Sequence, residues 1–220
     1  MYRKFVKRFL DIMICLIALP FLLIIMMIVC PIIYIQDKGN PFYNAPRLGK
    51  NGKVFKMYKF RSMKVNAPDI RLSDGSTYNG DDDSRVTKIG RFLRKTSIDE
   101  VPQVLNVLKG DMSIIGPRPD PPDWLERYSE DVKVFLSVRP GITGYSQAYF
   151  RNSANGNEKM KNDVYYALNY STIIDLKIFF KSIIVVLSHE NTYKDTENDN
   201  EAEQLTFSSV EKENVDATAR

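Results

Sequence analysis

An almost uninterrupted apolar segment near the N-terminus is the feature that most restricts how this chain can fold. Asp11 is the one charged side chain in residues 9–35, and a run of this length can cross a hydrocarbon core of about 30 Å. Basic residues flank the run on both sides: Arg3, Lys4, Lys7 and Arg8 before it, and Lys38, Arg47, Lys50, Lys53 and Lys56 after it. Short basic flanks prefer the cytoplasmic side, and Pro20 offers a place to bend. We therefore predict a re-entrant membrane helix within residues 1–37, with a single-pass anchor as the alternative.

Charge is distributed unevenly along the rest of the 220 residues. From Glu190 onward nine acidic residues outnumber three basic ones and apolar periodicity is absent, which predicts a disordered acidic tail over residues 190–220. The preceding body is basic, which suits a phosphate-rich partner. We do not expect nucleic acid as that partner, because the basic residues are interleaved with apolar, membrane-type segments. His189 is the only histidine, so Ser-His-Asp and Cys-His catalysis are excluded.

Two short runs after the membrane segment predict a β-hairpin. Residues 40–43 and 53–61 flank a glycine-containing turn at 48–52, and we expect the lysines of the second run to form a charged face towards solvent or lipid headgroups. A polar loop over residues 66–84 follows. Its Asp81 and Asp83 imitate the D-x-D by which many glycosyltransferases hold a divalent metal, so a metal-dependent glycosyltransferase is one alternative function.

Two adjacent carboxylates, Asp99 and Glu100, mark the predicted start of a helix. Ser97 and Glu100 have the S-x-x-E spacing of a capping box, whereas Asp99 is itself a suitable N-cap. Pro102 favours the later start, because proline fits where a helix N–H has no partner. In either case Asp99 lies near a positive helix end, which favours its ionised form and any nearby phosphate.

Further helices are predicted from apolar residues at three-to-four spacing. They cover residues 121–135, 163–170 and 173–187, and the last is short for a crossing and is interpreted as a core or interfacial helix. Residues 85–95 form a basic amphipathic segment, and residues 141–152 a glycine-punctuated binding loop. Together these elements predict an α+β protein, in which residues 38–189 form a small, mostly helical catalytic domain with a short β-hairpin and interfacial amphipathic helices.

Five short motifs, taken in order, resemble those of the bacterial sugar transferase family, the small monotopic polyprenyl-phosphate phosphoglycosyl transferases. They are FKMYKFRSM at 55–63, TSIDEVPQ at 96–103, LKGDMS at 108–113, GPRP at 116–119 and RPGITG at 139–144. The resemblance begins at KRFLD, residues 7–11, and runs to about Leu187. Each motif alone is weak, and their order and spacing make the resemblance specific.

The resemblance implies transfer of a sugar 1-phosphate from a UDP-sugar to a membrane polyprenyl phosphate, with release of UMP. It implies that Asp99 is the nucleophile and Glu100 its partner, and that Mg²⁺ is held at this pair. Arg94 then contacts phosphate, and Arg118, Gln147 and Arg151 are candidate nucleotide contacts. The implied location is the cytoplasmic face of a bacterial inner membrane, in contact with membrane lipid, and a homodimer is compatible with it.

Two departures from the family pattern are visible. Family members often place Ser-Pro at the bend of the membrane helix, whereas Pro20 follows Leu19, and the usual Trp of the Gly-Ile-Thr-Gly loop is Tyr145. A non-enzymatic alternative is a membrane-anchored scaffold with a basic face, which predicts that Asp99→Asn changes no activity.

Overall fold

The computed structural model describes residues 2–71, 78, 80, 82–150 and 156–188. The predicted acidic tail, His189, Asp81 and Arg151 lie outside the described residues. Within them the protein is a mixture of helices and two small two-stranded sheets, which agrees with the predicted α+β class.

The N-terminal apolar run forms helix α1, Lys7–Asp37, preceded by one π-helical turn at Tyr2–Val6. α1 is the one helix in the described part of the chain that is long and apolar enough to cross a membrane. It continues through Pro20 and Pro31, and its re-entrant path stays a prediction. Its buried residues lie on a single stripe: Asp11, Cys15, Leu22, Val29 and Ile33. Further apolar residues beside this stripe, among them Ala18, Leu19 and Met26, are partly buried against the core, and most of the remaining apolar side chains of α1 are exposed.

Both ends of α1 are tied to the remainder of the chain. Near the N-terminus, Lys7 Nζ lies 2.6 Å from Asp175 Oδ2, and the carboxylate of Asp11 accepts a 3.1 Å hydrogen bond from the backbone N–H of Ile114. At the C-terminal end, Asp37 forms an ion pair with Arg61. The helix therefore packs along the body of the protein over its whole length.

The predicted hairpin is confirmed. Strand β1, Phe42–Leu48, pairs antiparallel with β2, Val54–Phe60, in a register that sets Phe42 opposite Phe60. The predicted lysine face is wrong, because Lys53, Lys56 and Lys59 recur every three residues while strand side chains alternate every two. Lys59 therefore shares a face with buried Met57, and its side chain is only 16% exposed.

The predicted helix start at the two carboxylates needs correction. Ile98–Glu100 form a single 3₁₀ turn, and helix α3, Gln103–Lys109, begins after Pro102. Ser97 has a left-handed backbone (φ 56°) and makes no side-chain capping bond, so the capping box is not formed. Asp99 is not the N-cap of α3 either, because that position is taken by Pro102, which makes no side-chain capping bond, so the helix begins later than both predicted starts. Before this turn lies helix α2, Lys88–Lys95, which Thr87 caps by accepting a hydrogen bond from Gly90 N–H.

The C-terminal half of the chain contains a second small sheet. Strand β3, Ser113–Ile115, pairs parallel with β4, Gly141–Thr143, a pairing that the sequence pattern did not predict. The helix predicted over residues 121–135 is instead two 3₁₀ segments, Pro122–Arg127 and Val132–Ser137, because the extended backbone of Tyr128 interrupts it. Helices α4, Tyr145–Tyr149, α5, Gly156–Asn169, and α6, Thr172–Ser188, complete the described chain. The last two confirm predicted helices, and α5 starts earlier than expected.

Candidate active site

Glu100 is the centre of a compact ion-pair cluster. Its Oε1 accepts hydrogen bonds from Lys59 Nζ and from Arg118 Nη2, each at 2.7 Å, and Arg118 Nη1 makes a longer contact of 3.4 Å with Oε2. Burial raises the pKa of Glu100, but the charges of Arg118 and Lys59 outweigh it and hold that pKa well below its usual range. Glu100 is therefore a fixed anion with two cationic partners.

Asp99 differs sharply from its neighbour. It is 8% exposed, and within the described chain its nearest cationic contact is Lys59 Nζ, 4.0 Å from Oδ2. Burial raises the pKa of Asp99 to about 6, helped by the charge of Glu100 and opposed by Lys59, Arg94 and Arg118. At neutral pH Asp99 is thus an ionised but weakly solvated carboxylate, which is the state that a nucleophile needs.

Three segments bring these groups together. Lys59 comes from β2, Asp99 and Glu100 from the 3₁₀ turn after α2, and Arg118 from the chain that leaves β3. Arg118 stands between Pro117 and Pro119, whose fixed φ stiffens the backbone on both sides. Gly116, two residues earlier, packs so closely that an added Cβ would lie 2.3 Å from the carbonyl oxygen of Arg139. The position of Arg118 is therefore set by the β3–β4 contact.

Of the other predicted site residues, Arg94 lies at the carboxylate cluster, whereas the roles of Gln147 and Arg151 are not tested by the described contacts. Arg94 lies in the last turn of α2, donates through Nε to Ser62 Oγ at 2.9 Å and lowers the pKa of Asp99, so it belongs to the cluster. Gln147 lies in α4, and its two amide side-chain atoms are buried without hydrogen-bond partners among the described residues. No described contact joins Gln147 to Asp99, and Arg151 lies outside the described residues, so both stay predictions.

Lys59 is the functional candidate that the sequence reasoning missed. It was assigned to an exposed charged strand face, yet it contacts the carboxylates of both Asp99 and Glu100. The three-residue spacing of Lys56 and Lys59 in β2 contained the signal, since side chains three residues apart in a strand point to opposite faces.

The carboxylate oxygens of Asp99 and Glu100 are suitable ligands for Mg²⁺ if substrate phosphates complete the coordination. Magnesium in phosphate-transfer sites is commonly held by one or two carboxylates together with phosphate oxygens and water. Asp99 has no close hydrogen-bond donor in the described chain, and Glu100 Oε2 has only the long contact with Arg118. No group of three or more His, Cys, Asp or Glu ligands occurs among the described residues, so a cage built from protein ligands alone is not available there.

The alternative of a metal-dependent glycosyltransferase needs both Asp81 and Asp83 as metal ligands, and Asp83 is not available. Asp83 is 4% exposed, and its two oxygens accept hydrogen bonds from Nε and Nη2 of Arg85 at 2.9 and 2.8 Å. Arg85 also donates to the carbonyl oxygens of Pro68 and Tyr78. Asp83 therefore holds the loop in place and is not free to ligate a metal.

A second buried polar cluster adjoins the Pro-Arg-Pro segment. Asp120 accepts two 2.7 Å hydrogen bonds from Lys159 Nζ and one of 2.6 Å from the hydroxyl of Tyr128. Asp163 lies 3.6 Å from the same Nζ, and burial raises its pKa to about 7. The cluster anchors α5 against the segment that carries Arg118.

Comparison with known proteins agrees with these motifs. A family model described as bacterial sugar transferase matches residues 2–189. An undecaprenyl-phosphate galactose phosphotransferase of Salmonella typhimurium is 38% identical over 205 residues, covering 86% of this chain and 42% of that protein. A UDP-N-acetylgalactosamine-undecaprenyl-phosphate N-acetylgalactosaminephosphotransferase of Aeromonas hydrophila is 36% identical over 190 residues, 84% of this chain and 44% of that protein.

A shorter relative matches nearly end to end. The exopolysaccharide production protein ExoY of Sinorhizobium fredii is 37% identical over 198 residues, covering 85% of this chain and 88% of its own length. The chain thus spans less than half the length of the first two relatives and most of the third.

Proposed function

The chain belongs to the bacterial sugar transferase family, and from this premise we propose that it transfers a sugar 1-phosphate from a UDP-sugar to a polyprenyl phosphate and releases UMP. The names of two relatives support the two substrate classes, since one is a phosphotransferase for undecaprenyl phosphate and the other also carries a UDP-sugar in its name. The product is a polyprenyl-diphosphate-sugar.

The observation that carries this proposal is the unequal environment of the two adjacent carboxylates. Glu100 is occupied by Lys59 and Arg118 at 2.7 Å, whereas Asp99 has a cation no nearer than 4.0 Å in the described chain. A carboxylate that is buried, ionised at neutral pH and not tied up by hydrogen bonds can attack phosphorus. We therefore assign Asp99 as the nucleophile and Glu100 as the group that fixes the surrounding cations.

The proposed reaction has two displacements at one phosphorus atom. An oxygen of Asp99 forms a bond to the β-phosphorus of the UDP-sugar while the bond from that phosphorus to the bridging oxygen breaks, and UMP leaves. An oxygen of the polyprenyl phosphate then attacks the same phosphorus, and the bond to Asp99 breaks. Arg118, Lys59 and Arg94 offset the negative charge that gathers as two anions meet.

Magnesium is part of the proposal as a cofactor. Asp99 and Glu100 would hold it together with substrate phosphates, and it would offset charge on the diphosphate. The assignments of Gln147 and Arg151 as nucleotide contacts stand as proposals, and site-directed replacement with nucleotide titration tests them.

We place the active site on the membrane side of the body, with both ends of α1 on the same, cytoplasmic, face of the inner membrane. The contacts of Lys7 with Asp175 and of Asp37 with Arg61 support this placement, because they tie the two helix ends to one body. Large apolar side chains on the outer faces of α1 and α6, among them Phe21, Met27, Ile173 and Phe180, are exposed and fit a lipid environment.

A decisive experiment offers UDP-sugars, polyprenyl phosphate and Mg²⁺ to the detergent-purified chain and measures UMP. We expect UMP release that Asp99→Asn abolishes and that Glu130→Gln leaves unchanged, Glu130 being an exposed acid that forms an ion pair with Lys133. Without the lipid acceptor, one equivalent of UMP should appear while the label of a β-³²P UDP-sugar stays on the protein. Release of UDP would instead support a glycosyltransferase, and no UMP from any common UDP-sugar would sink the proposal.

A further inference from the structure

Arg47 is a half-buried guanidinium without an acidic partner among the residues that the structure describes. In the described chain no carboxylate pairs with it, and its hydrogen bond from Nη1 goes to the carbonyl oxygen of the preceding residue, Pro46, at 2.9 Å. The cations around it are differently placed: Lys59 and Arg118 pair with Glu100, and Lys159 pairs with Asp120. Among these four cations Arg47 is the one whose charge no carboxylate matches.

The fold places this cation beside the proposed active site. Arg47 stands opposite Phe55 in the hairpin, so it shares a sheet face with Met57 and Lys59. The next residue, Leu48, donates its backbone N–H to the carbonyl oxygen of Asp120 at 2.8 Å. The end of β1 therefore lies against the Pro-Arg-Pro-Asp segment that carries Arg118.

The electrostatic surroundings of Arg47 are unfavourable for a cation. Burial lowers its pKa, and the neighbouring charge of Arg118 lowers it further, while Asp120 acts in the opposite direction. Asp120, however, is already matched by Lys159. A partly desolvated guanidinium next to another is costly unless an anion joins them.

We infer that Arg47 binds a phosphate group of a substrate, next to Arg118. A guanidinium presents two parallel N–H donors that match two phosphate oxygens, and a phosphate bound there would supply the anion that Arg47 lacks and would separate its charge from that of Arg118. The inference rests on the proposed function for the identity of the phosphate, which belongs either to the nucleotide diphosphate or to the polyprenyl phosphate.

The test compares Arg47→Gln, Arg47→Lys and the control Lys50→Gln in the full detergent-purified chain. Lys50 is an exposed cation in the same hairpin turn, so its replacement removes the same charge outside the site. Equilibrium titration with UDP and with pyrophosphate reports binding, and steady-state UMP release gives KM for each substrate. Unchanged melting temperatures show that the variants fold. If Arg47→Gln does not fold, the binding and KM values of Arg47→Lys are compared with the wild type instead.

If the phosphate is that of the nucleotide, we expect Arg47→Gln to weaken UDP and pyrophosphate binding at least tenfold, Arg47→Lys to lose less, and Lys50→Gln to stay within twofold of the wild type. If it is that of the lipid, nucleotide binding stays unchanged and KM for polyprenyl phosphate rises by a similar factor. Effects within twofold in both arms, or equal losses in Lys50→Gln, overturn the inference. The UDP and pyrophosphate titrations do not require turnover. If the wild type released no UMP, the proposed function would be refuted, and these titrations would still test phosphate binding by Arg47.

Discussion

Lys59 forms an ion pair with Glu100, in which Nζ lies 2.7 Å from Oε1. This ion pair joins the hairpin to the turn that carries the candidate nucleophile. The same Nζ lies 4.0 Å from Asp99 Oδ2. One cation therefore serves both carboxylates, closely for Glu100 and at a distance for Asp99. This asymmetry keeps Glu100 permanently charged and leaves Asp99 sensitive to pH in a range where the protein can be assayed.

The first prediction concerns the pH dependence of UMP release. The ionised form of Asp99 is the proposed nucleophile, and burial raises its pKa to about 6. We expect kcat/KM to level off above this pH and to fall about tenfold for each pH unit below it, as for a single essential base. Initial rates between pH 4.5 and 8 measure the profile, and a profile that stays flat down to pH 5 would contradict it.

Replacing Lys59 should move that profile. The positive charge of Lys59 lowers the pKa of Asp99, so Lys59→Gln is expected to shift the acid limb to higher pH as well as to reduce the rate at neutral pH. The control is Lys56→Gln, which removes an exposed lysine from the opposite face of β2. An acid limb at the same pH in Lys59→Gln and in the wild type would show that the side chain does not act on Asp99.

Local patterns predicted part of this molecule well. The hairpin, α6 and the acidic pair at residues 99 and 100 could all be located, because each depends on nearby residues and on strand or helix periodicity. The contact between Lys59 and Glu100 spans 41 residues, and only the folded arrangement of β2 and the 3₁₀ turn creates it. The partners of Asp120 and the parallel β3–β4 pairing are non-local in the same way.

The helix start illustrates a second limit. The S-x-x-E spacing was present, but Ser97 has a left-handed backbone and its side chain makes no capping hydrogen bond. Such a conformation is uncommon outside glycine and asparagine, so no propensity argument predicts it. The result places Asp99 in a short turn before α3, and its charge state is set mainly by burial and by the cations around it.

The buried carboxyl of Asp163 should make the protein less stable at high pH. Burial raises its pKa from 3.8 to about 7, so between these two values the folded state binds more protons than the unfolded state and the free energy of unfolding falls as pH rises. Asp163→Asn removes this penalty, and we expect it to stabilise the protein at pH 8 by on the order of 2–4 kcal/mol. Near pH 4 the difference should vanish.

Thermal unfolding in detergent at the two pH values measures this effect. Asp123→Asn is a suitable control, because Asp123 is an exposed acid paired with Arg71 and should change stability little. A lower melting temperature for Asp163→Asn at pH 8 would mean that its ion pair with Lys159 outweighs the cost of burial.

The final prediction concerns the backbone contact that positions Arg118. A Cβ at Gly116 would lie 2.3 Å from the carbonyl oxygen of Arg139 and 2.8 Å from the backbone nitrogen of Gly141, and these are backbone atoms that cannot rotate away. We expect Gly116→Ala to separate β3 from β4, to destabilise the protein by about 1–3 kcal/mol and to reduce UMP release, since Arg118 follows two residues later.

Gly156→Ala provides the matched control, because a Cβ there meets nothing within 4 Å. It stands at the first position of α5, where alanine should be neutral or stabilising by less than about 1 kcal/mol. Melting temperature and UMP release are measured for both variants. Equal behaviour of the two would show that the β3–β4 contact does not hold Arg118 against Glu100, and the site would then owe its geometry to the ion pairs alone.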